Sequence, residues 1–231
     1  MSTGGLKISV IIPVHNGEKY LDKAIQSILN QKHPALEILV IDNASTDSTA
    51  DIARAYPAVR YFYLNEKGLP KALNQGVEQS KGLFLTFLDA DDLWKEGKLD
   101  IQLQTFRDDH ELDMVFGHIE QFVSPDLPRE KREQLSIRDK LLPGFAKTTL
   151  MIKRKSFLRV GLFDSSIVVS EFLEWYMRAK DMNLRMTLLP QVLARRRIHT
   201  NNMGFSEREN RIDYVRVLKQ GLDRRRRQGK T

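Results

Sequence analysis

The sequence predicts an α/β fold built on a parallel sheet, and three observations carry that expectation. Short apolar, β-branched runs recur at residues 7–13, 37–42, 59–64 and 83–88, each the length of one buried strand. Between them apolar residues fall at helical spacing, and successive crossovers of this kind require parallel strands. With 231 residues and 41% hydrophobic content, the chain can bury one substantial core.

The first strand ends at Pro13, which has no N–H to give to a ladder. Asn16 follows as a candidate N-cap, and Tyr20, Leu21, Ala24, Ile25, Ile28 and Leu29 mark one helical face. After the second strand, Ser45 or Thr46 is placed to cap a short helix that reaches Ala55. Pro70 suits a first helical position and opens a helix to about Ser80. The strand at 83–88 then runs directly into Asp89-Ala90-Asp91-Asp92.

Beyond that point the alternation loosens. A helix is expected at 98–106, a strand at 114–122, a mobile polar segment at 124–140, strands at 148–152, 185–188 and 192–197, and a helix at 174–181. Ser206-Glu207-Arg208-Glu209 reads as a capping box ahead of Ile212, Val215, Leu218 and Leu222, which predicts a C-terminal amphipathic helix. The expected organisation is one domain over residues 1–202, followed by this helix and a basic tail over 203–231.

The absence of cysteine excludes disulfides, thiolate zinc sites and cysteine nucleophiles, so carboxylates, histidines and hydroxyls are left to carry any chemistry. The formal charge of +7 is concentrated at one end: from Arg195 onward twelve Lys or Arg stand against four Asp or Glu. This predicts a solvated basic helix, with attraction to anionic membrane, or docking on a second copy, as its further readings. No stretch has the pattern of a signal peptide or a membrane span, so the expected location is cytoplasmic, with peripheral contact at the inner membrane face. Aromatic residues are scattered and no nucleic-acid-reading motif is present, so nucleic acid is not an expected partner.

In open α/β sheets a ligand sits beyond the carboxyl ends of the strands. Here three strands deliver polar groups there: residues 13–16, 42–47 and 89–92. A lone strand-end aspartate reads as readily as a helix cap. The Asp89-x-Asp91-Asp92 cluster says more, because unpaired carboxylates repel one another and a divalent cation relieves that repulsion. Mn2+ and Mg2+ suit such a site, since they bridge a few carboxylates to substrate phosphates.

From Ile8 to about Asn202 these motifs resemble the family-two glycosyltransferases of the GT-A fold, a Rossmann-like mixed sheet flanked by helices. The resemblance rests on residues 8–17 with Tyr20 and Leu21, residues 40–47, then Asn65, Gly68, Lys71, Asn74 and Gly76, and finally residues 88–92. It implies an inverting transfer of a sugar from a nucleotide-diphosphate donor, expected to be a UDP-sugar, onto an acceptor hydroxyl of a saccharide, a lipid-linked group or a peptide. It also implies Pro13, Glu18 and Asp42 as contacts to base and ribose, Lys71 near base or phosphates, Asp89 as a donor contact, and Asp91 as metal ligand. His15 stands where a tyrosine is often found and Lys71 where an arginine is, and both remain able to stack or pair with the donor. His199 matches a late histidine that joins the metal or diphosphate.

On the acceptor side the resemblance departs. Gly161-Leu162-Phe163-Asp164, Glu171, Glu174 and Arg178 match, but Phe172 occupies the position of the aspartate credited as general base. Glu171 is then the nearest candidate base and Glu174 the reserve. Phe172 keeps one alternative open, a nucleotide-sugar-binding or scaffold protein with impaired catalysis. A sugar-phosphate nucleotidyltransferase should open with a glycine-rich, arginine-containing loop, which residues 12–17 lack.

Overall fold

The computed structural model describes residues 8–33, 36–134, 141–167 and 170–200, together with Val217, Lys219, Gly221 and Asp223. Its parallel half consists of β1 (Ile8–Val14), β2 (Leu36–Asn43), β3 (Val59–Leu64) and β4 (Phe84–Phe87), joined through α1 (Leu21–Leu29), α2 (Thr49–Arg54) and α3 (Leu69–Gln79). The second half adds β5 (Leu93–Trp94), α4 (Lys98–Asp108), β6 (Met114–Val123), α5 (Arg129–Gln134), β7 (Leu141–Leu142), a 3-10 turn at Lys147–Thr149, β8 (Met151–Lys153), α6 (Arg154–Val160), α7 (Glu171–Asp181) and β9 (Met186–Ile198). All nine strands share one sheet, ordered β3-β2-β1-β4-β8-β6-β9-β5, with β7 paired to β6.

β1 is the central strand of the parallel half, paired to β2 on one side and β4 on the other, and all seven of its residues are buried. Its two-residue period divides the core. Ile8, Val10, Ile12 and Val14 pack with Leu21, Ile25 and Ile28 of α1 and with Leu99, Leu103 and Phe106 of α4. Ile11 faces the other way, with Leu73 and Val77 of α3, Phe157 of α6 and Trp175 of α7. Gly76 is required where α3 crosses β1, because an added Cβ would lie 2.4 Å from a methyl of Ile11.

The expected parallel sheet therefore covers only β1 to β4. β8 runs antiparallel between β4 and β6, β9 lies parallel to β6, and β5 closes antiparallel onto β9. Several local expectations shift. Asn16 does not cap α1: it sits at φ +51, and Tyr20 precedes the helix. Ser48, not Ser45 or Thr46, precedes α2. Pro70 is the second residue of α3 rather than the first. The two strands expected at 185–188 and 192–197 are one strand running through Pro190, a position that is exposed and outside the pairs registered with β6. α6, which was not expected, starts without a side-chain cap and stops at Gly161, and the segment expected to be mobile contains α5.

Of the expected C-terminal helix, Val217, Lys219, Gly221 and Asp223 are helical and Val217 is buried; the rest of it, the capping box and the basic run lie outside the described residues. Among the described residues no helix is long and apolar enough to cross a membrane.

One charge lies inside the core. Lys98, fully buried at the start of α4, gives its Nζ to Thr86 Oγ1 (3.0 Å) and Gln102 Oε1 (2.8 Å), with the Trp94 ring 4.1 Å away. Burial holds its pKa well below 10.5. The unfolded chain therefore binds the extra proton, so the fold pays a penalty at low pH that fades as pH climbs toward 10.5. We expect Lys98→Met to raise the melting temperature relative to the native chain at pH 6 and the gain to shrink steadily by pH 10. Thermal melts of both proteins across that range check this, and a gain independent of pH would contradict it.

Candidate active site at the strand ends

The carboxyl ends of β1, β2 and β4 lie at one edge of the sheet, the place where open α/β sheets form their ligand crevice, and hydrogen bonds tie the loops after β1 and β2 together. Asn16 donates its N–H to Ser45 Oγ (2.9 Å) and accepts from the Thr46 N–H at its Oδ1 (2.9 Å). Glu18 donates its N–H to Asp47 Oδ2 (3.0 Å) while its own carboxylate accepts from Ser48 N–H (3.3 Å). The left-handed backbone at Asn16 is what turns the loop after β1 toward that after β2. Asp42, 1% exposed at the end of β2, accepts from Ser45 N–H (2.8 Å) and from Tyr61 Oη (2.7 Å). Burial and the facing Asp42 carboxylate push the Tyr61 hydroxyl well above its usual range, so it stays a donor.

Pro13 is buried in β1, and His15 and Glu18 are exposed just beyond it. Lys71 is ion-paired with Glu66 in a largely exposed contact that solvent screens. Asn43 accepts from Gly68 N–H (2.8 Å), which ties the loop before α3 to the end of β2.

Beyond β4 the acidic cluster is divided among three environments. Asp92 is 4% exposed and accepts from the Arg197 N–H at 2.9 Å. Burial, reinforced by Asp91 and Asp89, lifts its pKa well above the usual carboxylate range. Asp91 keeps a partly exposed carboxylate, with His199 Nε2 3.0 Å from its Oδ2. Asp89 is the most open, with 40% of its side chain exposed. The surrounding protein nevertheless raises its pKa, as do Asp91 and Glu171, while Lys147 and Arg196 oppose the rise.

Arg197 braces this cluster from β9. Its Nε donates to the Asp91 carbonyl (2.9 Å), its Nη1 to Ser124 Oγ (3.2 Å), and its guanidinium lies over Tyr20 and Phe122 (4.6 and 4.7 Å to the ring centres). Tyr20 in turn packs against the His199 ring at 5.0 Å. Asp91 and His199 meet directly at 3.0 Å, and a carboxylate and an imidazole are both ligand types that Mn2+ accepts. Among the described residues no three acidic or histidine side chains gather into a metal cage, so an ion there would take its remaining oxygens from a diphosphate or water.

Across from the acidic cluster, Glu171 is 4% exposed at the first position of α7 and accepts a hydrogen bond from Lys147 Nζ at 2.6 Å. The same Nζ lies 3.7 Å from Asp89 Oδ1. Burial works against the Lys147 charge, but Asp89 and Glu171 outweigh it and raise its pKa. Glu174 is also 4% exposed, yet both its oxygens are held by Arg178 Nε (3.0 and 2.9 Å), whose Nη1 and Nη2 donate to the carbonyls of Val160 and Leu162 (2.7 Å each). Phe172 packs against Phe116, Trp175 and Tyr176.

The structure thus joins Asp89 to Glu171 and Asp91 to His199, and it holds Glu174 in a separate pair with Arg178. Lys147 and Arg197 were not anticipated. Lys147 lies in a 3-10 turn with no periodic pattern to expose it, whereas Arg197 sits two residues before His199 in a basic run that read as surface charge.

The Glu174–Arg178 pair links α7 to the end of α6. Glu174→Ala should leave Arg178 half-buried with an unpaired charge and cost about 1–3 kcal/mol of stability. Denaturant unfolding checks the loss, and titration with nucleotide should show donor affinity unchanged.

Known proteins resemble this chain in sequence and in fold. An uncharacterized glycosyltransferase of Rickettsia typhi is 34% identical over 176 residues, 69% of this chain and 54% of that protein. The putative teichuronic acid biosynthesis glycosyltransferase TuaG of Bacillus subtilis is 38% identical over 102 residues, 42% of this chain and 40% of its own. The chain spans about half the length of these curated relatives, or less. Among solved structures, the mannosyltransferase PcManGT of Pyrobaculum calidifontis, in complex with GDP-Man and Mn2+, matches with a TM-score of 0.70 at 23% identity over 96% of this chain and 64% of its own. S. aureus TarS in complex with UDP-GlcNAc matches with a TM-score of 0.68 at 22% identity, over 95% and 72%. These two likenesses establish a GT-A fold. Residues 9–171 match the family model described as Glycosyl transferase family 2, and the chain belongs to that family.

Proposed function

We propose that this glycosyltransferase carries out an inverting, metal-dependent transfer from a nucleotide-diphosphate sugar, a UDP-sugar in the first instance, onto an acceptor hydroxyl. The observation that carries the reading is the juxtaposition in one crevice of Asp91 with His199 (3.0 Å) and of Asp89 with Glu171 through Lys147 (3.7 and 2.6 Å). Support for a nucleotide-sugar donor and a divalent metal comes from TarS in complex with UDP-GlcNAc and PcManGT in complex with GDP-Man and Mn2+.

In this reading Pro13 and Asp42 line the base and ribose site at the ends of β1 and β2, with His15, Glu18 and Lys71 at its mouth. Asp42 is already fixed by Ser45 and Tyr61, so little ordering is left to do when the base arrives. Asp89 contacts the donor, and Asp91 and His199 are the residues that would hold Mn2+ or Mg2+. When bound, the ion stabilises negative charge on the departing diphosphate. Glu171 takes the proton from the acceptor hydroxyl as that oxygen attacks the anomeric carbon and the bond to the diphosphate oxygen breaks. A single displacement inverts the anomeric centre. Glu171 is chosen over Glu174 because Arg178 occupies both oxygens of Glu174.

The second reading, nucleotide-sugar binding without transfer, is favoured by Phe172, whose ring contacts Phe116, Trp175 and Tyr176 and which has no group to accept a proton. Basic residues after Arg195 support peripheral attraction to an anionic surface as part of the same proposal.

Two substitutions separate these readings. Asp91→Asn should abolish the Mn2+-dependent part of donor binding while keeping the side chain's size, and calorimetric titration of UDP-sugars with and without Mn2+ measures it. Retained Mn2+-dependent binding would put the metal elsewhere. Glu171→Gln should lower nucleotide release by roughly a hundredfold with donor affinity changed little, as when proton transfer and not binding is lost. Unchanged release in Glu171→Gln would remove Glu171 from the mechanism.

A further inference from the structure

Among the described residues, Lys147 is the one cation that forms ion pairs with both Asp89 and Glu171. It reaches Asp89, at the end of β4 on the donor side, and Glu171, at the start of α7 on the acceptor side. Its side chain is 12% exposed and that of Glu171 is 6%, so the pair sits in a dry environment where an ion pair is strong and an orphaned charge is costly.

The backbone is built around the same contact. Ser170, immediately before Glu171, adopts a left-handed conformation (φ +77, ψ +21) that is uncommon for a residue with a side chain. Although serine is a favoured N-cap, its Oγ makes no cap to α7 and has no partner. A strained turn that forgoes its own cap, yet sets Glu171 against Lys147, is the kind of strain that collects at functional positions. On the other side, Lys147 opens the 3-10 turn whose next residue, Thr148, accepts a hydrogen bond from Trp94 Nε1 at its carbonyl (3.1 Å). Trp94 is a core residue, so Lys147 is anchored from below.

We propose that Lys147 is the positioning residue for the acceptor-side base: it holds the Glu171 carboxylate in one orientation, 2.6 Å from its ammonium, and supplies the positive charge without which Asp89 and Glu171 would repel each other across the crevice. This rests on the reading of Glu171 as base. It also accounts for how a chain with phenylalanine at position 172 retains a usable carboxylate. The groups that set the balance are Lys147, Asp89, Glu171, Asp91, Asp92 and Arg196.

The test uses the full chain with UDP-GlcNAc or GDP-mannose and Mn2+, reading nucleotide release to water and donor affinity, together with melting temperature. Lys147→Met should lower release at least 30-fold while donor affinity changes less than about threefold, because the base and not the donor site is disturbed. Lys147→Arg, which keeps the charge in a different shape, should recover release to within about tenfold of the native chain. A purely structural lysine would lower affinity and release together and would not be rescued in this way. The melting arm needs no turnover: Lys147→Met should melt below the native chain, and adding Glu171→Gln should restore most of the loss by removing the unpaired carboxylate. If Glu171→Gln releases nucleotide normally, the base reading falls and takes this inference with it. If Glu171→Gln is inactive but Lys147→Met is normal, or if the double substitution melts no higher than Lys147→Met alone, only the role of Lys147 is overturned.

Discussion

Four carboxylates, Asp89, Asp91, Asp92 and Glu171, share one crevice, and the arrangement of the surrounding residues follows from the need to balance them. Each is treated differently. Asp92 is buried and pushed toward its protonated form while accepting a backbone N–H from Arg197. Asp91 meets His199, and Glu171 meets Lys147. Asp89 stays the most open of the four, with Lys147 as its nearest cation. A crevice balanced in this way has its negative charge held in place before any ligand arrives, which is the condition for electrostatic preorganisation.

That balance depends on the sheet changing direction. The parallel half brings β1, β2 and β4 to a common edge, as successive crossovers dictate. The cations come from elsewhere: Arg197 from the end of β9, and Lys147 from the turn before β8. β8 lies antiparallel against β4, so the turn that precedes it lies beside the end of β4 and its aspartates. β5, immediately after those aspartates, pairs with β9 and draws Arg197 and His199 onto them.

Much of the parallel half was legible in the sequence because its signals are local. Buried parallel strands read as apolar runs, and polar clusters at their ends follow from the same rule that places ligands there. The second half was less legible because its logic is long-range. β9 looked like two strands because Pro190 interrupts the pattern, and α6 starts without a side-chain cap, directly after β8, so only Gly161 at its end marks it. Glu171 and Glu174 stand three apart on one helix, and only nearness in sequence ranked the first above the second, yet Lys147, 24 residues before Glu171, takes one and Arg178 the other. Nothing in the spacing of a single lysine within a turn reports that contact.

The central claim is that the Asp89–Asp91 crevice receives a nucleotide diphosphate with a divalent ion. It is tested most directly by a thermal-shift screen of nucleotide diphosphates and nucleotide sugars, each with and without Mn2+, because a ligand that binds only the folded state raises its melting temperature. The account predicts a marked upward shift with one nucleotide class that is largely lost without Mn2+. No shift with any nucleotide, or shifts indifferent to the ion, would contradict it.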